Sequence, residues 1–258
     1  MRSGRLYGGV LHKRRNLMYE FGEKHPIGFE IILIIVSFLV SGVIVVACSI
    51  VNMHADLSTS IARIFVALVL LVIYRRAFTG QNIFTNPVIL IPSLLFAAWN
   101  VFYNLSSGMV FGGSVFFIEV AITAIAPALF EEVIFRGIFI YNLKKKGSSD
   151  LSCLFITAAM FSVVHLTNLV GQSFATVALQ TGYSFVIGLA LAAVYLRNNS
   201  LAQVVLAHFL IDFTNRLYVE QATSASYVQI AIFAVLLVAE TAYAVWLTVK
   251  GGDSSEGV

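Results

Sequence analysis

From Ile27 to Val51 the chain carries a single charged side chain, Glu30, and similar apolar runs follow one another almost to the C-terminus. A run of about 20 apolar residues is what an α-helix needs to cross a bilayer core. Backbone groups in lipid must be satisfied within the segment, so such runs can only be helices. Hydropathy places eight of them, at about Ile27–Val51, Ser58–Tyr74, Pro87–Asn104, Ser114–Tyr141, Leu151–Val170, Phe174–Leu196, Leu201–Tyr218 and Tyr227–Val249. The fourth is long enough to tilt or kink, and Pro127 offers a place for a kink. Only 11% of the residues are charged, against about 25% in a soluble domain, so the fold class expected is all-α: a polytopic membrane helical bundle.

Basic residues set the expected orientation. Thirteen of the sixteen Lys and Arg fall on one side, in the N-terminal segment, at Arg75 and Arg76, at Lys144–Lys146, at Arg197 and at Lys250. Arg136 approaches that side, and only Arg63 and Arg216 lie toward the other. The positive-inside rule then puts both termini in the cytoplasm, with the basic N-terminal segment resting on anionic headgroups. The expected division is a cytoplasmic basic arm over 1–26, one transmembrane domain over 27–250 with its polar core at 114–218, and a polar tail over 251–258. The first apolar run is too long for a signal-peptide core and reads as an anchor. Cys48 and Cys153 read as packing residues. Membrane lipid is the expected partner; nothing besides the net charge of +3, which follows from topology, points to nucleic acid.

Polarity is concentrated in the fourth to seventh spans. Two adjacent glutamates and an arginine stand in the fourth, Glu131–Glu132–x–x–x–Arg136. Charges at that depth cost at least about 2.5–3.5 kcal/mol each on insertion scales. Glu132 and Arg136 are four apart on one helix face and form the natural ion pair. Glu131 is turned about 100° away, without a local counter-ion. The fifth span carries Phe161–x–x–x–His165 and the seventh His208–x–x–x–Asp212. Spacing of four lets His208 and Asp212 address one small target, and lets Phe161 pack on the His165 ring. A carboxylate buried at Glu131 suits a general base that takes a proton from water, while imidazoles orient that water, hold a metal or stabilise an oxyanion. The catalytic set expected is Glu131, His165, His208 and Asp212, supported by Glu132, Arg136 and Phe161.

These three motifs, in this order on separate spans, resemble those of the CPBP group of intramembrane proteases. That group includes the CAAX prenyl proteases of the Rce1 type and the bacterial Abi, lysostaphin-resistance-like proteins. The resemblance covers about Ser114–Tyr218. It implies an intramembrane endopeptidase of a bacterial cell membrane, acting on membrane-associated or prenylated-like peptide substrates. It also implies a cavity open to the membrane and the cytoplasmic side, with Glu131 and His165 activating water and His208 and Asp212 at the oxyanion or a metal. Such proteins have been read both as metalloproteases and as glutamate-dependent proteases. If zinc is bound, His165 and His208 are the ligands implied; no His-Glu-x-x-His motif is present. Asp212 stands where many relatives have Asn. Two other readings are open to a chain of this pattern: an ion-coupled transporter or permease whose buried Glu and His form an ion path, and an inert scaffold or immunity protein of the same fold.

Overall fold

The computed structural model describes residues 17–108, 113–218 and 225–252. The regular elements there are helices: α1 (Leu17–Lys24), α2 (Pro26–Ile50), α3 (Ala55–Ile73), α4 (Ile91–Ser106) and α5 (Ser114–Glu132). A π-helical segment, Val133–Phe139, continues α5 into α6 (Ile140–Lys145). Then come α7 (Asp150–Val164), α8 (Phe174–Asn198), α9 (Leu201–Arg216) and α10 (Tyr227–Gly252). Short 3-10 stretches precede α4 at Pro87–Leu90 and follow α7 at His165–Val170. The bundle is all-α and polytopic. Six of its helices are long and apolar enough to cross a membrane. The chain is a multi-pass integral membrane protein. α5 with its π continuation and α9, which complete the eight runs read from hydropathy, carry the polar motifs.

Local chemistry explains where the later helices begin. Ser149, Ser173 and Ser200 stand at the N-caps of α7, α8 and α9, and each side chain accepts from the backbone N–H three residues on. Asn199 closes α8 in the left-handed conformation that asparagine tolerates.

Burial divides the helices by role. Inside α8, 61% of the apolar window is buried against other protein, compared with 22% in α2 and 17% in α10. α8 is therefore the central post, and α2 turns Ile31, Ile35, Leu39 and Val43 outward toward lipid. One apolar cluster joins α4, α8, α9 and α10 around Leu189, Leu191 and Val204. A second joins α1, α2, α3 and the π segment around Tyr74, Ile134 and Phe139. α7 contributes to both, with Leu154 and Ala158 in the first and Cys153 and Phe161 in the second. The polar motifs lie between the two clusters.

Two details differ from the sequence reading, and part of that reading falls outside the described residues. Leu17–Lys24, within the expected arm, is a helix whose Tyr19 is buried and donates to the Ile73 carbonyl. The basic residues Arg2, Arg5, Lys13, Arg14 and Arg15, and the polar tail from Asp253, lie outside the described residues. The fourth span remains α-helical through Pro127, and its change of geometry comes six residues later, at the π segment.

The basic groups share one end of the bundle. Tyr19 beside Arg76 meets the end of α3, and Tyr141 donates to Glu23. Asn82 is bonded to Asn199, and Arg197 and Lys250 line a common groove. Gln203, one of the polar residues of the seventh span, is spent at this end: it accepts from Asn198 and donates to the Thr85 carbonyl.

Candidate active site

Among the described residues, Arg136 is the largest fully buried side chain. Its Nη1 donates to Glu132 Oε1 at 2.8 Å, and its Nη2 donates to the Gly188 carbonyl of α8 at 3.1 Å. The guanidinium carbon lies 4.6 Å from the centre of the Phe161 ring on α7. One side chain thus ties the π segment to α5, α7 and α8. The π geometry brings its backbone close to the 3-10 turn Arg75–Phe78, and Gly137 leaves room for the Phe78 ring where a Cβ would overlap it. Helix segments of this kind occur mostly as local bulges, often at functional sites.

α9 delivers His208 and Asp212 on one face. His208 Nδ1 lies 2.8 Å from the same Glu132 Oε1. A carboxylate oxygen accepts, so Nδ1 carries the proton and Nε2 is turned to the cavity. Nε2 stands 3.9 Å from Glu131 Oε2 and 3.9 Å from Asp212 Oδ1. Those distances exceed a direct hydrogen bond and match a gap that one water molecule bridges. The two glutamates are separated by environment: the Glu132 side chain is fully buried, whereas those of Glu131 and Asp212 are 21% and 25% exposed. Glu131 makes no direct hydrogen bond among the described residues. Asp212 also has Arg216 Nη2 at 3.8 Å.

His165 sits where α7 gives way to the 3-10 turn, and its Nδ1 is 2.8 Å from the Phe161 carbonyl. A carbonyl only accepts, so here too Nδ1 carries the proton. Phe161 packs edge-on against both imidazoles, with centroids 5.0 Å from His165 and 5.8 Å from His208. The structure therefore brings Glu131, His208 and Asp212 around one point, and places Phe161 against both histidines and the arginine. His165 joins them as part of the wall of a cavity of about 800 Å³ that Glu131, His208 and Asp212 also line.

That cavity runs away from the basic end. Its outer wall includes Thr167, Asn168 and Gln172 beyond α7, Gln180 near the start of α8, and Gln229 near the start of α10. Asn168 donates to Gln180 at 2.9 Å. Arg63 of α3 lines it as well. Asn100 of α4 donates to the Ile211 carbonyl at 2.9 Å and braces α9 behind His208 and Asp212.

Sequence reasoning missed two contacts. It gave Glu132 to Arg136 alone, although a carboxylate oxygen has more than one acceptor site and His208 takes the second. It could not find the Gly188 carbonyl, because a backbone acceptor leaves no mark on residue type.

Zinc draws its ligands to about 2.0–2.3 Å, so donor atoms that share one ion lie close together. Among the described residues, the group of three donor atoms mutually within 4.8 Å is His54, Asp56 and Glu119, all exposed. His165 and His208 belong to no such group, so the cavity residues do not form a ready zinc cage, and the chemistry below takes no step through a metal.

Residues 113–214 match the family model described as type II CAAX prenyl endopeptidase Rce1-like. This segment is similar to an Rce1-like domain. The match spans the π segment and all the motif residues from Glu131 to Asp212, and the family implies an intramembrane protease. No curated protein and no solved structure matches the chain. Helices α1–α4 and α10 lie outside the Rce1-like segment, and α4 and α10 pack directly on it.

Proposed function

We propose that the chain is an intramembrane endopeptidase that hydrolyses peptide bonds of membrane-associated substrates through a water activated by Glu131. The observation that carries this reading is the paired 3.9 Å gap from His208 Nε2 to Glu131 Oε2 and to Asp212 Oδ1. A water in the first gap gives one hydrogen to the Glu131 carboxylate and, with the His208 ring neutral and its Nδ1–H on Glu132, the other to the Nε2 lone pair. Glu131 takes the proton as the oxygen attacks the scissile carbonyl, then passes it to the leaving amine. His165, its Nδ1–H held by the Phe161 carbonyl, presents the Nε2 lone pair to the same cavity, where it accepts a hydrogen bond and helps to orient the water and the substrate. Asp212, one turn beyond His208, reaches the second gap and keeps Arg216 nearby.

The basic end is the cytoplasmic one by the positive-inside rule, with both termini there. In that orientation the cavity faces the non-cytoplasmic half of the membrane, and the peptide enters from there. Lipid surrounds α2 and α10, and the substrate is a peptide.

The test is Glu131→Gln, which preserves shape and removes the base. Membranes carrying wild-type protein should contain cleaved peptides that disappear in the variant, with folded protein at wild-type level. Proteolysis that persists in the variant refutes the assignment, and a permease would show no carboxylate-dependent cleavage products at all.

A further inference from the structure

Arg63 has no place in the chemistry above. It is the ninth residue of α3, roughly 12 Å from the helix start at 1.5 Å per residue. α3 is one of the helices apolar enough to span the membrane. The headgroup zone accounts for only about 5–8 Å on each side of a bilayer. Arg63 therefore starts below headgroup level when the α3 terminus lies at the surface. Its side chain is half-buried and lines the cavity that holds Glu131. Among the described residues it makes no hydrogen bond and no ion pair.

The other two arginines at this site are engaged. Arg136 is locked to Glu132, and Arg216 lies 3.8 Å from Asp212. A guanidinium cannot shed its charge at any working pH, and an ionised group at membrane depth is costly without a partner. Among the described residues nothing supplies that partner, and an anion that arrives in the cavity would. A guanidinium fork matches a carboxylate through two parallel hydrogen bonds. The cavity, at about 800 Å³, has the size of a small-ligand site. It encloses a short stretch of chain and not a folded domain. Phe96, Trp99 and Tyr103 supply apolar wall beside these charges.

We infer that Arg63 is a substrate-binding residue that reads a carboxylate on the peptide substrate, either a chain terminus or an acidic side chain. The inference rests on the protease reading of the cavity and adds a specificity determinant to it. Arg63 fixes which peptides enter and in which direction, while Glu131 cuts.

The test measures binding, so it does not depend on turnover. Full-length Glu131→Gln protein in phosphatidylcholine nanodiscs is titrated with an apolar hexapeptide that carries an uncharged fluorophore at its N-terminus, in three forms. One has a free C-terminal carboxylate, one an amidated terminus, and one an amidated terminus with a single glutamate. Arg63 should favour at least one carboxylate form over the plain amide by about tenfold or more, as expected for a hydrogen bond to a charged group. Arg63→Gln should remove that preference without weakening the amide form, and Arg63→Lys should restore part of it. The form preferred identifies the source of the carboxylate. Equal affinity for all three forms, or binding of none, overturns the inference, as does an equal loss for all three in Arg63→Gln. A repeat in phosphatidylglycerol discs covers the remaining source: Arg63-dependent retention of that lipid with no peptide preference assigns the arginine to a headgroup phosphate and overturns the inference too. Cleavage that survives Glu131→Gln would sink the protease reading and leave these binding results intact.

Discussion

Replacing Arg136 with methionine keeps much of the side-chain volume and removes the charge. In the native structure Glu132 Oε1 accepts from both Arg136 Nη1 and His208 Nδ1 at 2.8 Å, and Glu132 Oε2 has no protein partner. The substitution leaves a fully buried carboxylate held by one imidazole N–H. Removing one partner of a buried pair costs about 3–5 kcal/mol. The Gly188 carbonyl loses its donor, worth about 1 kcal/mol, and the arginine–Phe161 contact, worth up to about 2 kcal/mol, is exchanged in part for a sulfur–aromatic one. A net loss of about 4–7 kcal/mol lowers the folded-to-unfolded ratio roughly a thousandfold or more. Glu132→Gln in the same chain removes the stranded charge, and its amide oxygen still accepts from His208. The double variant should therefore recover about 2 kcal/mol or more relative to the sum of the single changes. Reversible unfolding in mixed micelles, followed by protease resistance of the folded form, measures all four corners of the cycle. An Arg136→Met protein within about 0.5 kcal/mol of the parent, a spread ordinary for surface changes, or strictly additive losses, would refute the claim that this pair holds the bundle together.

Gly137→Ala should destabilise by about 1–3 kcal/mol through overpacking against Phe78, and Phe78→Ala should recover much of that loss in the same unfolding assay. Chelator treatment should leave carboxylate-dependent cleavage unchanged; loss on chelation with recovery on zinc would show that the cavity closes into a metal site on substrate binding. With Cys48 replaced by serine, a cysteine at Gln172 should react in intact cells with a membrane-impermeant maleimide, whereas one at Lys145 should react only after lysis. The reverse pattern would invert the orientation proposed for the cavity.

Much of the architecture was legible because lipid imposes a simple rule on composition. The run Ile27–Val51 corresponds to α2, Pro26–Ile50, and the run from Tyr227 to Val249 lies within α10. Arithmetic on helix periodicity gave the Glu132–Arg136 ion pair, since both partners lie on one helix. What it could not give was the third member, His208, whose approach depends on how α9 crosses α5. The π segment was hidden for a related reason: Val133, Ile134 and Phe135 have no composition that separates one helical hydrogen-bond pattern from another. Leu17–Lys24 escaped because a short helix carries too little apolar periodicity to stand apart from its charged neighbours, and Tyr19 anchors it through contacts distant in sequence. Gln203 adds to the polarity of the seventh span yet serves the turn before α9, a use that residue type alone does not reveal.

Because the Glu131 side chain leans on no other group directly while its neighbour is bound into the framework, making and breaking bonds in substrate is mechanically decoupled from holding the molecule upright. A lineage carrying this architecture could therefore go silent by one replacement and lose almost nothing in durability. Such a descendant would keep Glu132 and Arg136 together with an intact peptide-sized chamber, and would be ready-made to capture what its ancestor cut.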